Sequence, residues 1–546
     1  PEEAPESIDA YLIHLGNMNP ENCAQDPYLK AYYFADSSGT PYVAVPGGTT
    51  QGWIADNAAN LNDLFNRFSN KHQDLALASM GPAPDITLCG FIANGCHGTG
   101  LQEPTVSDLV YAIEVVTVGD NGIAAPQAFA VNQEIADLLN KNHVTKATAQ
   151  AAPRLMQALR VSLGSCGIIT KLIFQLEPMF NVAHLDEYAE MADIFPLDGG
   201  DTTNLETLVT SCDYIEIFWF PYNTQLWIKR YSKTNAPTQH ELKVLGFDWI
   251  TSELSVLTGG LLGTLFEWFP EATPLILQVL FFGQKELMQR PLAAYDFSQD
   301  FNPSQDPIVK VRTAYLYQTK VPTNILDLSY AVPIPRTQES PAKYDFSQVL
   351  QAWNDVVNTI NSMQHQGVYP VNLNVHARFI KNSDSFLSPA NWSDDAIYTC
   401  DIEYLSFSEQ LDEYAEFSAA IGPAWMSYGL PHWAKMFQLI PNSYAEAHQR
   451  LEESGNLKNF LPVRAKMDPS AIFDNDFLNE ILIGEPTAVR RQVSARSAGG
   501  VPQRPSAFPT KEFQISGPQV LQRFEVLSTN RRRSTRGCNL FHDGAT

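Results

Sequence analysis

Several features that mark whole protein classes are scarce or missing in this sequence. Its seven cysteines (23, 89, 96, 166, 212, 400 and 538) include no Cys-x-x-Cys pair. That excludes a disulfide framework or a zinc knuckle and leaves small buried hydrophobes as their ordinary reading. No His-Glu-x-x-His motif or clustered Cys/His set is present, so no metal site is expected. Basic residues are few: 36 Lys and Arg stand against 60 Asp and Glu, a net charge of −24. Such a surface repels nucleic acid, and no nucleic-acid partner is expected. No uncharged apolar run reaches the ~18 residues of a membrane helix. The opening PEEAPESID has neither a basic nor an apolar signal region, so no signal peptide is expected; compartment and oligomeric state stay open.

Apolar residues are not scarce. With 546 residues, 44% hydrophobic and 11% aromatic, the chain can bury a large core and by size should form two or more domains. Charge is unevenly spread, with ten Lys and Arg against four Asp and Glu from Glu485 to Thr546, a balance of +6, while residues 1–484 carry −30. TAVRRQVSARSAGGVPQRPSAFP at the start of that tail reads as a linker. QVLQRFEVL then has helical spacing and leads into the Gly-bearing RRSTRGCNLFHDGAT.

Glycine is concentrated in one place. GFIANGCHGTG, Gly90 to Gly100, surrounds Cys96 and His97 with residues that lack a Cβ, which lets backbone approach a flat or phosphorylated ligand. The coarse pattern around it is mixed. TPYVAVPGGTT and SDLVYAIEVVTVGDNGI read as strands, residues 127–160 as helices, and GSCGIITKLIFQLEP as a strand after Gly164 and Gly167. YIEIFWFPYNTQLWIKRYSK reads as an aromatic hairpin, VNLNVHARFIKN as a strand, and VLGFDWITSELSVLTGGLLGTLFEWF and PLILQVLFFG as apolar helices.

In that order, GFIANGCHGTG, AIEVVTVGDNG and VSLGSCGIITKLIFQL resemble the FAD-binding domain of the vanillyl-alcohol-oxidase superfamily. ARFIKNSDSFLSPA, LPHWAKMF and DPSAIFDNDFL resemble its aldonolactone-oxidase branch, whereas the aromatic hairpin and the apolar insertion after it are more similar to flavin cholesterol oxidases. The resemblance implies an α+β protein: a two-lobed FAD-binding domain plus a substrate domain with a large antiparallel sheet and covering helices. It implies a FAD-binding domain over 1–180, a substrate domain over 181–460 and a return to the first domain over 461–484. Cofactor contacts are implied for Ser79, Gly81, Asp85, Ile86, Cys89, Gly90, Asn94, Cys96, His97 and Gly98, for Gly164, Gly167, Ile168 and Ile169, and for Asn475. His97 and Cys96 are read as loop anchor and small filler rather than as catalysts.

The family's opening element, an Arg-x-x-Gly loop for the FAD pyrophosphate, has no counterpart at the start of this sequence. The tail resembles it. After a linker at 485–510, residues 511–546 would supply Arg536, Gly537, Cys538, Asn539, Leu540, Phe541 and His542 as cofactor contacts, as in a circular permutation or a rejoined pair of fragments. Many relatives attach the flavin to a histidine three residues after the loop glycine. Leu540 stands there and His542 comes two residues late, so noncovalent FAD is expected.

The implied chemistry is oxidation of a CH–OH group by hydride transfer to flavin N5, with molecular oxygen as the expected acceptor and a small alcohol as substrate. Arg378 is the candidate cation, its ordinary alternative being a strand-edge salt bridge. His376 lies two residues earlier on the same strand face and is a candidate base, where aldonolactone oxidases carry a Glu. His432 and Lys435 are expected to share a face of a helical turn near the substrate. Sterol, polyol and lactone substrates all stay open. Trp249, Leu254, Leu257, Leu261, Leu262, Phe266 and Trp268 serve either as a roof over a hydrophobic alcohol or as core. The alternative from another class is a flavin- or lipid-binding module without turnover.

Overall fold

The structure, a computed structural model, describes residues 31–57, 75–119, 122–197, 199–238, 263–287, 293–295, 308–310, 325–337, 343–392 and 396–484. The proposed linker and the permuted element with Arg536 to His542 lie outside them, as do Trp249, Leu254, Leu257, Leu261 and Leu262. Its architecture is α+β, built on two sheets. Strands β1 (Tyr32–Ala35), β2 (Pro41–Pro46), β3 (Val110–Val118), β4 (Ala124–Ala130), β5 (Ala149–Ala151) and β6 (Ile168–Gln175) form the first, in the order β1-β2-β6-β3-β4-β5. The β-branched runs of β3 and β6 suit its centre, where Val115, Ile113, Leu172 and Ile173 are fully shielded. Helix α1 (Leu88–Ala93) leads into the Gly-rich loop, and α2 (Gln133–Lys141) buries Ile135, Ala136 and Leu139 against the sheet. Asn132 caps α2 by accepting from the Ile135 N–H.

Residues 127–160 are not helical throughout, as their alanine content suggests. β4 and β5 bracket α2, because AAPQAFA pairs residue for residue with β3 from Ala112 to Val118. Pairing within the sheet overrides helix propensity there.

The second sheet positions the site. Its long strands are β7 (Asn181–Glu190), β8 (Tyr214–Trp219), β9 (Gln225–Thr234), β10 (Ile325–Pro335), β11 (Val375–Lys381) and β12 (Ala396–Phe407), in the order β7-β9-β8-β11-β12-β10. All five of these pairings are antiparallel. The sequence pattern anticipates the aromatic hairpin, which is β8 and β9.

Cross-strand partners project to the same face, so the register sorts every side chain. One face is apolar, with Ile215, Ile217, Ala377, Phe379, Cys400, Ile402, Tyr404, Leu328 and Tyr330, and helices α4 (Ser347–His365) and α5 (Leu411–Tyr428) pack on it. Trp425 of α5 contacts both Tyr330 and Tyr404.

The other face is polar. Lys229, Glu216, Arg378 and Asp401 follow one another across β9, β8, β11 and β12, and Trp227, Phe218, His376, Glu403 and Ser329 form the next row. α3 (Thr273–Leu287) covers one end of this face, where Phe281 clusters with Phe218, Phe220 and Trp227. Of the apolar insertion residues named above, Phe266 is buried and Trp268 is exposed. Among the described residues no helix is long and apolar enough to cross a membrane.

Candidate active site

β8 pairs with β11 only as far as Arg378. Beyond that point the Gly-rich loop takes the place of β8. Gly100 N–H donates to Phe379 O at 2.7 Å, Lys381 N–H donates to Gly100 O at 3.1 Å, and the Thr99 hydroxyl reaches Ile215 O and Phe379 O at 2.5 and 3.1 Å. The loop of the first sheet is thus spliced into the second beside Arg378. Two glycines are obligatory there. A Cβ on Gly98 would lie 2.0 Å from Met80 O, and Gly100 has φ +144° with the Tyr214 ring 2.9 Å from where a Cβ would stand.

The splice brings His97 onto the polar face, with Nδ1 2.9 Å from Gly98 O, Nε2 3.4 Å from Asp401 Oδ2, and its ring 5.5 Å from that of His432. His97 therefore ties the loop to β12, as an anchor would. Cys96 beside it has a thiol pushed up to about 12 by burial, which keeps it protonated and unreactive.

His432 and Lys435 do not share a helical turn. Gly429, in extended backbone, ends α5, and Leu430–Pro431 pairs with β10, so the chain enters Pro-His-Trp-Ala-Lys as a strand and then folds into a tight turn. Lys435 N–H donates to His432 O at 3.1 Å, and Trp433 Nε1 donates to Leu387 O at 2.6 Å, joining this motif to Leu387-Ser388-Pro389-Ala390. Both side chains still reach the polar face.

Lys435 Nζ pairs with Asp327 and lies 3.3 Å from Glu403 Oε2. Glu403 is the hub: its Oε1 accepts from His376 Nδ1 at 2.8 Å and stands 3.3 Å from Arg378 Nη2. Arg378 Nε donates to Glu216 Oε1 at 3.3 Å, and His376 Nε2 faces that same oxygen at 3.5 Å without a hydrogen bond. Phe218 stacks on the imidazole at 3.9 Å and 17°.

Burial would raise the Glu403 carboxyl, but Arg378, Lys435 and the hydrogen bond from His376 together hold it well below the usual carboxylate range. Burial would lower Lys435, yet Asp327 and Glu403 raise it and keep it an ammonium. Burial, then Arg378, lowers His376. Burial, then His97, pushes His432 down to about 3, and its Nδ1 accepts from the Ala434 N–H.

That depression has a sign. Below about pH 6.5 an unfolded histidine takes up a proton that buried His432 refuses, so stability falls with pH by about 1.4 kcal/mol per unit until the folded value is reached. The thermal midpoint is expected to drop between pH 7 and pH 4.5, and to drop measurably less in His432→Gln. Calorimetry showing parallel pH profiles for the two would refute this.

The remaining expected cofactor contacts cluster around the loop, with exceptions. Ser79, Gly81, Cys89, Gly90, Asn94 and Cys96 lie on the approach to Gly98, and Gly81 N–H donates to Gln51 Oε1. Gly164, Gly167, Ile168 and Ile169 form the turn into β6, where Gly47 N–H donates to Thr170 O. Asp85 and Ile86 are exposed on the turn before α1. Asn475 is also exposed, and its side chain is occupied as N-cap of Asp476–Ile483, accepting from the Leu478 N–H; it does not join the cluster.

A buried Thr49 hydroxyl without a hydrogen-bond partner sits in the Gly47–Thr50 turn, bonded through its carbonyl to the start of α1. An orphaned polar group beside glycine-lined loops fits the FAD that the sequence implies. Among the described residues no cluster could hold a metal ion.

Glu216, Asp327, Asp401 and Glu403 are not singled out by any motif. Their signal is positional: single acids at alternate places in otherwise apolar strands, as in Tyr-Ile-Glu-Ile-Phe-Trp and Cys-Asp-Ile-Glu-Tyr.

A Gly-rich loop docked on the charged face of an antiparallel sheet defines a flavoprotein of the vanillyl-alcohol-oxidase type. The comparisons agree. Residues 173–481 match the family described as ALO, D-arabinono-1,4-lactone oxidase, and the chain belongs to that family. L-gulonolactone oxidase of Scyliorhinus torazame is 23% identical over 78% of this chain and 80% of that one. L-gulono-1,4-lactone dehydrogenase of Mycobacterium tuberculosis is 22% identical over 75% and 76%. The fold resembles cholesterol oxidase from B. sterolicum, with a TM-score of 0.58 at 14% identity over 83% of each chain. A solvent-stable cholesterol oxidase gives 0.54 at 16% identity, over 84% of this chain and 85% of that one. The protein is a FAD-dependent oxidoreductase acting on CH–OH groups, and the reading as a binding module without turnover is set aside.

Proposed function

We propose that the substrate is an aldonolactone or a similar polyhydroxylated alcohol and that molecular oxygen accepts the electrons. One observation carries this reading: the charged face of the second sheet, with buried Arg378, His376 and Glu403 and half-buried Lys435, lies directly beside the Gly-rich loop. Hydroxyl and lactone oxygens can hydrogen-bond to such groups, whereas a sterol ring system would set apolar surface against them. The relatives named for gulonolactone and arabinonolactone support it further.

In this reading the Gly90–Gly100 loop and the Gly164–Ile169 turn hold FAD, and no covalent attachment is expected. When bound, FAD supplies the two-electron acceptor. Arg378 and Lys435 orient the substrate and offset negative charge that develops on its oxygen. His376 Nε2 takes the hydroxyl proton. The Gly-rich loop, with α3 over one end of the polar face, excludes water.

The test is an anaerobic panel of aldonolactones, alditols and sterols. Aldonolactones are expected to bleach the flavin fastest, and readmitted oxygen to restore its colour with stoichiometric hydrogen peroxide. Bleaching by sterols alone would overturn the substrate class, and colour that stays bleached in oxygen would overturn the acceptor.

A further inference from the structure

His376 stands on β11, and the structure surrounds it with carboxylates from both neighbouring strands. Glu403 of β12 lies on its Nδ1 side and Glu216 of β8 on its Nε2 side. Glu403 is ionised, held so by Arg378 and Lys435, and an ionised carboxylate only accepts hydrogen bonds. The 2.8 Å contact therefore requires the proton on His376 Nδ1.

Nε2 then bears a lone pair. It is 1% exposed as a residue, has no hydrogen-bond partner, and looks at Glu216 Oε1, a second acceptor, across 3.5 Å. Phe218 stacked on the ring holds its plane. Glu216 Oε1 already accepts from Arg378 Nε, so it has no proton to give; the buried lone pair on Nε2 calls for a donor from outside the protein, and a substrate hydroxyl is one.

We propose that Glu403 is a positioning residue that fixes His376 as the Nδ1–H tautomer, so that Nε2 is the acceptor for the substrate hydroxyl proton. This rests on the reading of His376 given above. As the O–H bond breaks, an N–H bond forms at Nε2. With FAD bound, its oxidised ring would be the acceptor for the carbon-bound hydrogen and its electron pair, leaving the substrate carbon as a carbonyl. The imidazolium formed lies between Glu403 and Glu216, with Arg378 on its own strand and Lys435 beyond Glu403 as the cations that oppose it.

The experiment uses the holoenzyme with isotope-labelled histidines. His376 is assigned by the resonance lost in His376→Gln, and its two ring nitrogens are read by nitrogen NMR without substrate. A protonated Nδ1 and a bare Nε2 are expected, with the strongly hydrogen-bonded Nδ1–H signal lost in Glu403→Gln and kept in Glu403→Asp. A proton on Nε2 in the native enzyme overturns the proposal whether or not lactones are turned over. The kinetic arm asks more. Because Glu403 favours the charged imidazole, Glu403→Gln is expected to lower kcat roughly 10²-fold and to move the acid limb of kcat/KM to lower pH, with partial recovery in Glu403→Asp. Lower activity with the acid limb unmoved would mark Glu403 as merely structural.

Discussion

Arg378→Ala is expected to retain FAD and to lower the rate of anaerobic flavin reduction by roughly 10²–10³-fold, the scale seen when one preorganised charge is removed from a buried site. The argument is geometric. The guanidinium is buried, at 7% exposure, and its fork spans Glu216 and Glu403 from the middle of the polar face, one strand position from the spliced loop. In alanine both carboxylates lose their shared cation, and breaking a buried pair on one side costs about 3–5 kcal/mol. A lower thermal midpoint is therefore expected with the loss of turnover.

Arg378→Lys separates the two effects. It keeps the charge but presents a point rather than a fork, so stability is expected to recover more than turnover does. The carboxylates that pair with this side chain, Glu216 and Glu403, lie outside the loops assigned to FAD, so the visible flavin spectrum is expected to persist in both variants. Near-native flavin reduction in Arg378→Ala would falsify the role assigned to it.

Gly98→Ala is expected to be as damaging by a different route. The new methyl group would stand 2.0 Å from Met80 O and 3.0 Å from Met80 C, backbone atoms that no side-chain rotation can clear. The loop must move, and with it go His97 from Asp401, Thr99 from Ile215 and Gly100 from β11. Purified variant is expected to carry little FAD and to melt below the native enzyme, by about 2–4 °C or less for each kcal/mol lost in a protein of this size. Gly122→Ala is the control for glycine loss alone. Gly122 also has positive φ but meets nothing within 4 Å, in the turn between β3 and β4 far from the splice. Full flavin content in Gly98→Ala would show that the close approach is not what holds the cofactor loop.

How much of this was legible in the amino-acid order differs by element. The hairpin of β8 and β9 and the strand of β11 are written plainly as aromatic and β-branched runs between turn residues, and the Gly90–Gly100 loop announces close backbone approach by composition. Residues 127–160 mislead, because alanine-rich strand β4 follows its neighbour rather than its propensity. The Pro-His-Trp-Ala-Lys turn misleads in a similar way: the spacing of His432 and Lys435 suits a helix, but pairing of Leu430–Pro431 with β10 leaves no room for one.

The candidate site divides along the same line. Arg378 and His376 could be named from the strand that carries them, since both belong to one short motif. Glu403 and Glu216 could not, because each belongs to a strand 27 or 162 positions away with no motif around it, and only register decides which strands become neighbours and which faces coincide.

The sequence by itself determined the family to which this protein belongs and the loop that must lie against another backbone, and it singled out Arg378 as the candidate cation. Tertiary structure alone decided that this loop completes the second sheet beside that cation, and that two acids from flanking strands converge on one histidine. The physical reason is the period of a strand. Alternation along the chain tells which residues share a face, but the partner of that face is chosen by hydrogen-bond pairing between strands distant in sequence.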